Sequence, residues 1–127
     1  VAFLVAVASV DGRYINRHFA TTDKFWIFRL MEDRFYLDDV RDVDRPAYAN
    51  HKEMLLNLLE GIADCNMVLA QQIGPGAAVM LGYRGMETYV AEGEIEAVLN
   101  RIAWLQKKKL YRTKRRTAQF SGLGQYW

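Results

Sequence analysis

The sequence predicts an α/β fold: a mixed five-stranded sheet with helices on both faces, its elements in the order β-β-β-α-β-α-β-α. Three observations carry this. A continuous apolar run, Phe3–Ser9, closed by Asp11-Gly12, marks a strand buried on both faces. Two aromatic and β-branched runs, Lys24–Leu30 and Arg34–Val40, are joined by the short polar link Met31-Glu32-Asp33, which marks a hairpin. Behind them, helical and strand patterns alternate to the end of the chain.

Each later element has its own local reason. His51–Ile62 sets Met54, Leu55, Leu58, Leu59 and Ile62 at helical spacing. Met67–Ala70 reads as a short buried strand. Ile73-Gly74-Pro75-Gly76 leads into the small-residue helix Ala77–Tyr83, where Pro75 suits the first helical position and Gly85 can end the helix. Glu87–Val90 reads as a strand. Glu94–Gln106 reads as a helix burying Ile95, Val98, Leu99 and Ile102, with acids in its first turn and lysines just past its last. A meander followed by this alternation is the arrangement of ribonuclease H-like, three-layer α/β/α folds. In the meander strand 2 runs against strand 1 and strand 3 runs back parallel to it, and right-handed crossovers through the helices keep strands 4 and 5 parallel to strand 1 as well. The loops that hold His18, His51 and Gly74-Pro75-Gly76 therefore open at one end of the sheet, and Cys65 belongs at the other. Ligands of open α/β sheets sit at the carboxyl ends of the strands, which is the histidine end.

A chain of 127 residues, half of them hydrophobic and a quarter charged, makes one globular domain. No apolar run approaches the roughly 20 residues that cross a bilayer, and the amino terminus carries no secretory pattern, so a cytoplasmic protein is expected. The single cysteine, Cys65, excludes an internal disulfide and a four-thiolate cluster site, and reads as a small buried apolar group. Net charge is +2 but uneven. Residues 107–127 hold Lys107, Lys108, Lys109, Arg112, Lys114, Arg115 and Arg116 without an acid, whereas the other 106 residues hold ten bases and fifteen acids. The expected organisation is a domain over residues 1–106 and a flexible basic tail over 107–127, with Ser121-Gly122-Leu123-Gly124 near its end.

The candidate chemistry gathers behind the first strand, in Asp11-Gly12-Arg13-Tyr14-Ile15-Asn16-Arg17-His18-Phe19. His18 stands in a polar loop, where a neutral imidazole can ligate a transition metal or be an ordinary surface histidine. His51 opens a helix, as a plain first-turn residue or as a second metal ligand. Gly74-Pro75-Gly76 presents backbone N–H groups at a helix amino terminus, an anion site or an ordinary turn. No serine lies near a histidine, and there is no phosphate-loop lysine or zinc-spaced His/Glu pair. A two-metal nuclease needs carboxylates over the central strands, and the first strand has none.

Taken in order, Val5-Ala6-Val7-Ala8-Ser9, Asp11-Gly12, Ile15-Asn16, His18-Phe19, His51, Asp64-Cys65 before Val68-Leu69, Ile73-Gly74-Pro75-Gly76-Ala77 and Glu92-Gly93-Glu94-Ile95-Glu96 resemble the dinitrogenase iron–molybdenum cofactor-binding family. That group includes the NifX and NafY accessory proteins and the carboxy-terminal domain of NifB. The resemblance runs through about residues 4–102. It implies a ribonuclease H-like fold without nuclease activity, and a non-enzymatic protein is expected. It also implies a carrier that transiently binds iron–molybdenum cofactor or an iron–sulfur precursor during nitrogenase maturation, with apo-dinitrogenase or cofactor-assembly proteins as partners.

The family's histidine-phenylalanine loop carries over to His18 and Phe19. Arg17, His51, Gly74 and Gly76 complete the expected cofactor-binding set, with His18 and His51 as metal ligands. Two departures stand out: Ala20 occupies a position usually held by glycine, which would cost about 1 kcal/mol or more in a left-handed backbone, and the basic tail is foreign to the pattern. The tail suits an acidic partner. Read alone, with Tyr111, Phe120, Tyr126 and Trp127, it suits a nucleic-acid-binding or regulatory module. A piece of a cofactor-assembly enzyme, without its catalytic part, is the third alternative.

Overall fold

The central strand is β1 (Phe3–Ala8), in which every residue after Phe3 is buried. The computed structural model describes the backbone of residues 2–124 and the side chains of residues 2–109. Alternate residues of β1 serve two cores. Leu4, Ala6 and Ala8 pack with residues of α1 (His51–Gly61) and α2 (Pro75–Tyr83), while Val5 and Val7 pack with Ile95, Leu99 and Ile102 of α3 (Ile95–Gly124). This double burial is why the run carries no polar alternation.

Along the chain β1 is followed by β2 (Tyr14–Ile15), β3 (Lys24–Met31) and β4 (Arg34–Asp42). Beyond α1 come β5 (Met67–Ala70), α2, β6 (Glu87–Val90), β7 (Gly93–Glu94) and α3. The main sheet has five strands in the order β4-β3-β1-β5-β6. β1 is antiparallel to β3 and parallel to β5, β3 is antiparallel to β4, and β5 is parallel to β6. The polarity inferred from the sequence therefore holds. Residues 9–23, 43–50 and 71–74 emerge at one end of the sheet, and Cys65, which precedes β5, lies at the other.

Local chemistry closes the elements. Asn50 caps α1, its Oδ1 accepting from Glu53 N at 2.8 Å while its amide donates to the Glu53 carboxylate at 3.0 Å. Gly85 ends α2 at φ +76°, its N–H donating to Gly82 O and the Met86 N–H to Leu81 O, the paired bonds of a Schellman motif. The β3–β4 hairpin turns through Glu32, the one non-glycine residue with positive φ among those described.

Two features differ from the sequence reading. β2 and β7, two residues each, pair with each other and were too short to show periodicity. The last helix does not stop at Gln106 but runs through Gly124, so residues 107–124 of the tail expected to be flexible are helical in backbone. The physical reason is composition: from Ile95 to Ser121 no proline or glycine interrupts a run rich in Lys, Arg, Gln, Leu and Ala, all good helix formers. Among the described residues, no helix is long and apolar enough to cross a membrane.

Candidate functional site

The connection after β1 is built as a rigid platform. Ser9 is fully buried; its Oγ donates to Tyr14 O at 2.6 Å and accepts from Gly12 N at 2.9 Å. Asp11 Oδ1 accepts from the N–H groups of Arg13 and Tyr14 at 3.0 and 3.1 Å, which holds its carboxyl below the usual carboxylate range. Asn16 Oδ1 accepts from Val10 N. Gly12, at φ +72°, lies under Trp26, whose ring atoms would stand 2.5 Å from an added Cβ. The Trp26 indole donates to Ser9 O at 3.0 Å. The β2–β7 pair and the bond from Ile95 N to Arg13 O at 2.9 Å tie this platform to the start of α3.

The platform hands the chain to His18. Gln71 N donates to Arg17 O and Phe19 N to Gln72 O, each at 2.9 Å, so residues 17–19 run as a short parallel bridge against the chain leaving β5. Adjacent residues of an extended segment point to opposite sides. Phe19 is fully buried, its ring centroid 5.7 Å from that of Phe25, and His18 is left exposed. The Phe19 side chain has no free surface and anchors the loop. His18 O accepts from Thr21 N and Thr22 N at 3.3 and 3.1 Å, turning the chain through Ala20 without positive φ, so alanine carries no left-handed strain there.

The bridge sets His18 beside the turn that starts α2, since Gln72 is two residues from Gly74. Gly74 caps α2 in an extended conformation with no side-chain hydrogen bond, and Pro75 occupies the first turn. Gly74 and Gly76 are exposed, and an added Cβ at either would meet no atom within 4 Å. His51 opens at the same end of the sheet and is exposed. The connection from β4 toward His51 is tied to the His18 loop through Arg45, whose Nη2 donates to Ala20 O and Thr22 O at 3.0 and 2.6 Å. Arg17 and Arg45 both approach Asp23, at 3.5 Å each. Neither Arg45 nor Asp23 belonged to the set drawn from sequence, because no spacing rule links a loop aspartate to an arginine 22 residues later.

Cys65 is 5% exposed, and burial, with the Asp64 carboxylate beside it, pushes its thiol up to about 12. Asp64 is gripped by Arg41 at 2.6 and 2.8 Å, which holds its carboxyl low. This end of the sheet is a structural lock. Among the described residues, no three His, Cys, Asp or Glu side chains gather to hold a metal ion. A groove of about 840 Å³ runs between α3 and the β3–β4 hairpin, past Phe28, Phe35, Leu99 and Trp104; none of His18, His51, Gly74 or Gly76 lines it. Of the residues that suggested nucleic-acid stacking, the side chains of Tyr111 and Phe120, and all of Tyr126 and Trp127, lie outside the described residues.

The fold is that of an α/β domain, a mixed five-stranded sheet with helices packed on both faces. The chain matches the family "Dinitrogenase iron-molybdenum cofactor" over residues 1–104, and it belongs to that family. It is 34% identical over 89 residues to the FeMo cofactor biosynthesis protein NifB of Frankia alni, a match covering 66% of this chain and 18% of that protein. To NifB of Chlorobaculum tepidum it is 29% identical over 92 residues, covering 72% of this chain and 22% of that protein. The chain thus spans about a fifth of the length of these curated relatives. Its fold is shared with the crystal structure of PH0822, at a TM-score of 0.64 and 19% identity over 80% of this chain and 90% of the other. The family is tied to iron–molybdenum cofactor and points to nitrogenase cofactor maturation.

Proposed function

We propose that this chain is a non-enzymatic carrier domain that transiently holds iron–molybdenum cofactor, or an iron–sulfur precursor of it, during assembly. The observation that carries the reading is His18: exposed, yet fixed by a backbone bridge to the chain leaving β5, within two residues of the uncapped start of α2. An anionic cluster that arrives with its own sulfide bridges needs only one or two exchangeable protein ligands, and imidazole is a suitable donor. His18 supplies that donor, with His51 as a second at the same end. Arg17 and the backbone N–H groups of the turn bearing Gly74 and Gly76 meet the negative charge. An open surface suits a bulky cargo that must be handed on, to apo-dinitrogenase or to another assembly protein. The strand order and the reversed second strand support the ribonuclease H-like label for the scaffold.

The test is loading in a host that assembles the cofactor, followed by purification without oxygen and metal analysis. Wild-type protein should carry iron with or without molybdenum. His18→Ala should lose most of that load, with a stability within about 0.5 kcal/mol of the parent, because an exposed side chain with no partner among the described residues adds little stability. A His18→Ala protein that carries the full metal load refutes the assignment.

A further inference from the structure

Behind the His18 loop three charges share two contacts. Asp23 is approached by Arg17 Nη2 on Oδ2 and by Arg45 Nε on Oδ1, both at 3.5 Å. Charge-assisted bonds of good geometry are about 2.7–2.9 Å long, so neither grip is tight. The two guanidiniums otherwise differ. Arg45 also donates to Ala20 O and Thr22 O at 3.0 and 2.6 Å. Among the described residues Arg17 has one further bond, to Thr21 O at 3.2 Å, and its Nε is shielded from water without an acceptor. Its side chain is 36% exposed, so the guanidinium is open to solvent on one side. A shielded donor left unmet is unfavourable, which a better acceptor would relieve. One carboxylate between two cations leaves the cluster at +1. If Arg17 turns away, Asp23 keeps Arg45 and no bare carboxylate is left to repel an incoming anion.

We propose that Arg17 is an exchangeable clamp that trades Asp23 for an anionic metal–sulfide cargo held at the loop that bears His18, and that Arg45 is the positioning residue that makes the trade possible by keeping Asp23 paired. This rests on the carrier reading and adds to it the chemistry of capture: the cargo competes with an internal carboxylate for one arginine. Release is the same exchange reversed, with Asp23 recovering Arg17.

The experiment is a double-mutant cycle in the full chain, with tetrathiomolybdate as the probe and bound molybdenum measured by equilibrium dialysis. Asp23→Asn frees Arg17 and should tighten binding about threefold to fivefold, the size of a partly exposed ion pair. Arg45→Gln leaves Arg17 as the only partner of Asp23 and should weaken binding by a similar factor. In the Asp23→Asn background the Arg45→Gln effect should vanish. Arg45→Lys keeps the charge opposite Asp23 without the fork to two carbonyls, and should bind within twofold of wild type.

Equal losses from Arg45→Gln in both backgrounds would mean that Arg45 acts only by anchoring Ala20 and Thr22, and the exchange is refuted. If Arg45→Gln does not fold, the Asp23→Asn gain and the Arg45→Lys result decide, and no gain in Asp23→Asn overturns the proposal. Binding absent from wild type and every variant removes the carrier reading, and the exchange with it.

Discussion

Replacing Gly76 by alanine should raise stability and lower cargo binding, two effects of opposite sign from one methyl group. Gly76 sits in the first turn of α2, has no positive φ and has no atom within 4 Å of a built Cβ, so alanine enters without strain. Removing glycine's excess freedom in the unfolded chain stabilises by about 0.4–1 kcal/mol. For a chain of 127 residues that is a rise of about 2–4 °C in melting temperature. If the cargo leans on the N–H groups of this turn, the methyl occupies its approach and removes a hydrogen bond to a charged group. Such a bond is worth about 1.5–3 kcal/mol, or tenfold to a hundredfold in affinity. Thermal melts and anaerobic metal loading measure the two effects separately. Full loading by a stabilised Gly76→Ala protein would show that the turn is not part of the site; a fall in melting temperature would refute the account of the backbone.

Two further perturbations test the scaffold. Gly12→Ala should be destabilising by about 2–5 kcal/mol in a urea titration, combining left-handed strain at φ +72° with displacement of the Trp26 ring; a cost below 1 kcal/mol would mean the turn is not built as described. Cys65→Ala should keep cargo loading at the far end of the sheet and cost about 1–2 kcal/mol for the lost buried sulfur. Because the folded thiol titrates at about 12 against 9.0 unfolded, the wild type's stability from this group is intact below pH 9 and falls as the pH rises toward 12, by up to about 1.4 kcal/mol per unit. Cys65→Ala should lack that alkaline loss, and identical alkaline profiles would contradict the buried thiol.

The sequence alone determined the strands and helices whose side chains repeat with a period. β1 was legible because Leu4 to Ala8 are buried on both sides, and α1 because Leu55, Leu58, Leu59 and Ile62 line one stripe. With element types and order known, the hairpins and the helical crossovers set strand polarity, and this placed His18, His51 and Gly74 at one end and Cys65 at the other. Tertiary structure alone decided what has no period. β2 and β7 are two residues each and about 80 residues apart, so only their pairing reveals them. The bridge of His18 to Gln72 decided that His18 faces out and Phe19 in, which a loop sequence does not encode because its side-chain directions follow from nonlocal hydrogen bonds. The meeting of Arg17, Asp23 and Arg45 is of the same kind: opposite charges are common in any sequence, and only folding selects which of them share a carboxylate.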